Sequence, residues 1–284
     1  MLLGKKAQKP PRRIWQIFKT KTARAGIILL LAVLVIIILG LLNERGAVTV
    51  TGELNIPPSY SHPFGTDYLG RDLLGEIGVG AVPSFFIAFI GAFGSMILGL
   101  FAGVLAGYFG KLDGVLSGTG DTILALPNIP FMIIVGTIFY PSDLLIAGLL
   151  VLVLWPIVSR VIRAQAMSVK TLAYVESAKM SGMKDRNIVL RIIIPEVAPI
   201  AIAYFILNIP LAVIITTALE FLGLGNPAAI SWGSILYWAQ IYAFYVGAWW
   251  WFLAPGVMIT LVAMGFALFG FSLEEVFNPR LRTE

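Results

Sequence analysis

Charge is missing from this chain in runs too long for a water-soluble fold. Residues 77–110 hold no Asp, Glu, Lys or Arg over 34 positions, and Glu220 and Glu274 enclose 53 more uncharged residues. A third run, 25–43, has 19. A helix of about 20 residues crosses the roughly 30 Å hydrocarbon core of a bilayer. Only 12% of the 284 residues are charged and 58% are hydrophobic, where a soluble domain is about 25% charged. The chain therefore reads as an all-α polytopic membrane protein.

Eight bases and no acid fill residues 1–24, a tail that the positive-inside rule keeps in the cytoplasm. A secretory signal also begins this way, but the apolar run is too long and no clean small-residue cleavage site follows. Residues 25–43 are thus a retained first span. Residues 44–82, with five acids against two bases, form an extracytoplasmic loop. Within it an amphipathic helix is expected, capped by Thr66 or Asp67, with Arg71 pairing to Asp67 at i,i+4. The core, 83–273, carries the remaining spans near 83–107, 119–140, 144–162, 199–222 and 252–272. Gly91, Gly94, Gly99, Gly103 and Gly107 permit close helix approach, and Pro127 and Pro130 bend the third span. The Trp- and Tyr-rich stretch 234–251 is read as an outer re-entrant or surface segment, leaving 274–284 as a cytoplasmic tail. Six spans put 18 of the 20 Lys and Arg inside; a seventh at 234–251 would place Arg280 and Arg282 outside.

One cytoplasmic loop, 164–198, stands out between these spans, and seven bases lie between Ser159 and Pro199. Residues 167–180 contain helix formers and no breaker, with Leu172, Val175 and Lys179 on one face. Gly182 is placed to close that helix in a left-handed cap. Asp185 then opens a second helix, with Arg191 toward its end, as the macrodipole prefers, and Pro195 limits it. A basic amphipathic segment lying on lipid is the plainer alternative.

The loop also carries a spaced motif: Glu176-Ser177-Ala178, Gly182, then nine residues to Ile192, and Ile194-Pro195. This is similar to the E-A-A-x3-G-x9-I-x-L-P loop by which permease subunits of ATP-binding-cassette importers dock on their ATPases, with Ser177 and Ile194 as conservative departures. His62-Pro63-Phe64-Gly65-Thr66-Asp67 and Gly70-Arg71-Asp72 resemble the outer-loop motif of the C-type permease in the dipeptide, oligopeptide and nickel transport family. The run 216–225 resembles that family's E-A-S-L-S-F-L-G-L-G, with Thr216 at the usual Glu and an acid, Glu220, four residues on. Asn278-Pro279-Arg280-Leu281-Arg282 is similar to its terminal D-P-R-L-R. The resemblance implies the membrane domain of a type I importer in the cell membrane of a prokaryote. It also implies a homologous second permease subunit, one or two ATPase subunits holding ATP and Mg, and an extracytoplasmic solute-binding protein. Glu176, Ser177, Ala178, Gly182, Ile192 and Pro195 would then be the ATPase-coupling residues. Asp67, Arg71, Asp72 and Trp232, expected to be exposed outside, are candidates for the face that touches the binding protein.

Other classes find little support. With no Cys and a single His, His62, the chain offers no disulfide, thiol catalyst or histidine-cluster metal site. No catalytic pair and no cofactor site is read, and no G-x4-G-K-[ST] loop is present. The bases cluster at membrane ends, so nucleic acid is not an expected partner. An ion-coupled secondary transporter would need buried acids and broken helices at mid-bilayer; Asp121 and Glu220, both near span ends, are the candidates. Substrates in the resembled family range from peptides to nickel chelates and oligosaccharides, and these residues do not choose among them.

Overall fold

The computed structural model describes residues 20–50, 52–140 and 142–277, and every regular element among them is helical. Helix α1 is Lys21–Leu42, opened by the Thr20 hydroxyl accepting from the Ala23 N–H. Its 22 residues reach about 33 Å, enough to cross a bilayer core. A short helix, α2 (Glu44–Val48), follows. Helix α3, Leu73–Tyr108, has 36 residues and starts ten residues before the expected second span. Its cap is Asp72, which accepts from the Leu74 and Gly75 N–H groups. Thr66 and Asp67 cap no helix, and the expected amphipathic helix is the first turns of α3 itself. Asp67 is occupied in holding Arg71, which delays the helix start to Asp72.

Where the third span is expected stand two helices, α4 (Gly110–Ala125) and α5 (Asn128–Ile138), bent by 88°. The cause is local. Proline disfavours a helical residue before it, and Leu126 before Pro127 is extended at ψ 138°. Lys111 and Asp113 lie inside α4 rather than in a turn. Helix α6, Asp143–Lys170, outruns the expected fourth span and takes in the start of the cytoplasmic loop. After α7 (Ala173–Met180), helix α8 runs from Asp185 to Leu224 over 40 residues. Pro195 does not end it. A π turn at Val189–Ile193 precedes the proline, widening the helix where a ring would otherwise meet the preceding turn. A second π turn, Glu220–Leu224, closes α8.

Helix α9, Trp232–Val246, has 15 residues, about 22 Å, too short to cross the core. Helix α10 is Trp250–Phe277. Five helices are long and apolar enough to span a membrane, and the bent pair α4/α5 makes a sixth crossing if it is one broken span rather than a re-entrant loop. The expected tails lie partly outside the described residues, 1–19 and 278–284 among them, while Lys21 and Arg24 already belong to α1.

Packing follows small residues. Gly40 of α1 meets Gly78 of α3 so closely that a Cβ at either would strike the other backbone. Along the α3–α6 seam a Cβ at Gly99, Gly103 or Gly107 would lie 2.6–2.7 Å from Val158, the Ser159 carbonyl or the Arg163 carbonyl. Two large apolar clusters result, one around Ile77, Leu150 and Trp232, the other around Val104, Ile162 and Ile193, with a smaller one joining Ala23, Ala203, Leu273 and Val276. At their boundary Asn208 donates to the Ser95 hydroxyl at 3.2 Å.

Candidate functional site

The lever between α6 and α8 is built by three local devices. Helix α6 stops at Lys170, and Thr171 and Leu172 turn the chain before α7 begins, so the continuous helix expected over 167–180 is two helices. Helix α7 ends in a Schellman motif: the Met183 N–H donates to the Ala178 carbonyl and the Gly182 N–H to the Lys179 carbonyl, both at 3.1 Å. Gly182 takes φ +82°, the left-handed conformation that suits glycine. Asp185 starts α8, its charge at the positive end of the helix dipole.

The motif residues differ in exposure. Glu176, Ser177 and Gly182 are exposed and Ala178 is half-buried. Val175 and Ile188 anchor the lever in the inner apolar cluster, with Ile192 packed at its margin; Pro195 is exposed. Leu172 and Lys179 are exposed, so of the expected face only Val175 is buried. Ser177 turns its hydroxyl back onto the Ala173 carbonyl at 2.9 Å, which explains why it can stand in place of alanine. Among the described residues Glu176 forms no ion pair with Lys170 or Lys179. Lys170 instead donates to the Tyr108 carbonyl. A cavity of about 520 Å³ lies under the lever, lined by Tyr108, Phe109, Lys111, Lys170, Lys179 and Asp185. Tyr108, the last residue of α3 and near the end of its uncharged run from Ile77, was not singled out in the sequence; a lone phenol closing an apolar run was the available signal.

The outer candidates are mostly internal, which corrects the expectation that they are exposed. Asp67 is fully buried and accepts from the Leu69 and Arg71 N–H groups and from Arg71 Nε. The Arg71 guanidinium also reaches Glu76 at 2.9 Å. Asp72 caps α3 and binds His62 Nδ1 at 2.8 Å, while His62 Nε2 stands 3.2 Å from Glu53. The hydrogen bond to Asp72 raises the His62 pKa, and burial pushes up the Tyr68 phenol. Trp232 is 0% exposed: its indole donates to the Ile77 carbonyl and its backbone N–H to the Ser84 hydroxyl. Tyr68 stacks on Tyr242 at 4.2 Å and on Trp251 at 5.5 Å, and Trp250 donates to the Thr66 carbonyl. These contacts lock the loop over α9 and α10.

Glu220 is 3% exposed and lies against Gly225 and Gly233, under the α8–α9 connection. It is therefore enclosed by the protein, and one of its oxygens has no hydrogen-bond partner among the described residues.

An all-helical bundle with five long apolar helices, one bent apolar pair and an exposed helix–glycine–helix lever at one end is a multi-pass membrane protein. Residues 95–283 match the family described as "Binding-protein-dependent transport system inner membrane component", and the chain belongs to it. It is 34% identical over 275 residues to the dipeptide transport system permease protein DppC of Alkalihalophilus pseudofirmus, covering 94% of this chain and 89% of that protein. It is 30% identical over 268 residues to DppC of Bacillus subtilis, covering 93% and 83%. The oligopeptide transport system permease protein OppC of Haemophilus influenzae is 29% identical over 282 residues, covering 95% and 90%. The chain is thus a multi-pass permease subunit of an ATP-binding-cassette importer, and the ion-coupled alternative falls.

Proposed function

We propose that this chain forms half of the translocation pathway of an ATP-driven peptide importer and couples to its ATPase subunits through the 176–195 segment. The observation that carries the reading is the lever. Its anchoring residues are apolar and buried, while Glu176 and the glycine cap are presented outward in a chain of this family. The peptide specificity rests on the relatives being dipeptide and oligopeptide transport permeases. Partners in this reading are a homologous second permease subunit, one or two ATPase subunits that hold ATP and Mg, and an extracytoplasmic binding protein. The lever and both termini face the cytoplasm of a prokaryotic cell, in accord with the distribution of bases. Closure of the ATPases displaces the lever and shifts the helices between inward- and outward-open states, a coupling between two sites through one bistable element.

The test is a reconstituted complex carrying Glu176→Lys, Ala178→Trp or Gly182→Val, with ATP hydrolysis and peptide uptake measured together. The expected result is membrane insertion with the ATPase lost or its hydrolysis uncoupled from uptake. Parental uptake in all three variants overturns the reading. Because the chain has no cysteine, single cysteines at Ser181 and Ser59 report orientation, and they are expected to react from the cytoplasmic and outer sides respectively.

A further inference from the structure

Three helix ends meet at one residue. Helix α3 stops at Tyr108, α6 stops at Lys170 and α8 begins at Asp185; the lever is the stretch 171–184 that leaves and returns between the last two. Tyr108 is buried. Its phenol donates to Asp185 Oδ1 at 2.6 Å. Its backbone carbonyl accepts from Lys170 Nζ at 2.7 Å, and the same ammonium stands 5.3 Å from the centroid of its ring.

Each contact has a local physical reason. The Tyr108 carbonyl is among the last four of α3, which lack partners within the helix, and a cation is favoured at that end. Asp185 sits at the opposite kind of end, where an anion is favoured. Among the described residues Lys170 and Asp185 form no ion pair with each other or with any other charged side chain. The two roots of the lever therefore meet through the tyrosine. Behind it α3 is locked to α6 by the glycine seam. A push on the lever could be dissipated in the turns at 171–172 and 181–184. Fixing both roots to one rigid helix end removes that slack.

We propose that Tyr108 is a positioning residue for coupling, clamping both roots of the lever to the end of α3 so that displacement of the lever moves α3 together with α6 and α8. This rests on the lever's being the ATPase-docking element and adds the residue through which its motion enters the bundle.

The experiment uses the whole complex in proteoliposomes and reads peptide transported per ATP hydrolysed. Tyr108→Phe keeps the ring and the carbonyl and deletes only the bond to Asp185. Transport per ATP is expected to fall about ten-fold, the order set by losing a hydrogen bond to a charged acceptor. Asp185→Ala should give the same loss, and the double variant should be no worse than either single one. Asp185→Asn, which retains an acceptor oxygen, should recover most of the ratio. Spin labels at Ser181 and Lys111 should show a broadened distance distribution in Tyr108→Phe. If Tyr108→Phe does not assemble, Asp185→Ala and Asp185→Asn carry the test. Parental transport per ATP in Tyr108→Phe and Asp185→Ala, while Glu176→Lys and Gly182→Val are uncoupled, overturns the clamp and leaves the lever standing. Additive losses in the double variant overturn it as well. If Glu176→Lys and Gly182→Val also transport at the parental rate, lever and clamp fall together.

Discussion

The outer loop and the cytoplasmic lever are both short, charged excursions from an apolar bundle, yet they use charge in opposite ways. In the outer loop Arg71 pairs with buried Asp67 and with Glu76 in the first turn of α3, and buried Asp72 pairs with His62. In the lever Glu176, Lys179 and Lys184 are exposed and form no ion pair among the described residues. Charges closed on themselves specify a shape, whereas charges left outward are available to another surface. The physical divider is solvation. A buried carboxylate needs its counter-ion or it destabilises the fold, while an exposed one contributes little within its own chain.

The largest expected effect follows from that contrast. Arg71→Ala leaves Asp67 and Glu76 buried without their shared cation, and removing one partner of a buried pair costs about 3–5 kcal/mol. Little assembled protein should survive detergent extraction, whereas Glu176→Lys should extract at the parental yield. Equal yields would break the comparison. Next comes Gly182. A Cβ there meets nothing within 4 Å, so the cost of Gly182→Val is purely conformational, about 1–2 kcal/mol for a left-handed L-residue. Gly182→Asn, which tolerates that region, should restore coupled transport. A smaller effect is expected for Trp232→Phe. It loses the indole bond to the Ile77 carbonyl, about 1 kcal/mol, and should lower the melting temperature without altering transport per ATP.

The smallest effect is a pH dependence. The folded-state pKa of His62 is raised by its bond to Asp72. Its stabilising contribution is therefore fully present below the unfolded pKa near 6.5 and is lost as pH rises through the higher folded value. The melting temperature of the protein should accordingly fall from pH 6 toward alkaline pH, and His62→Gln should flatten that profile.

Run length made the spans legible, because lipid leaves the backbone few alternatives. The cap at Gly182 was legible for a similar reason, since one residue type suits that conformation. The start of α3 was not, because Thr66, Asp67 and Asp72 are all good caps and tertiary pairing decides which one acts. Trp232 was misplaced because an aromatic near a membrane surface can anchor in the interface or fill a core with the same composition. Pro195 was read as a boundary because a sequence does not display a π turn that accommodates the ring. Tyr108 went unseen since its partners are 62 and 77 positions away.

The 88° break between α4 and α5 has a further consequence. Neither Leu126 nor Pro127 is helical, α5 has no side-chain cap, and the surrounding residues Ala125–Pro127 are exposed in the single chain. Peptide groups released at membrane depth demand hydration or a protein cover, and hydrocarbon supplies neither. If the pair is one broken span, the elbow has to be turned away from the acyl chains, toward water or a protein cover.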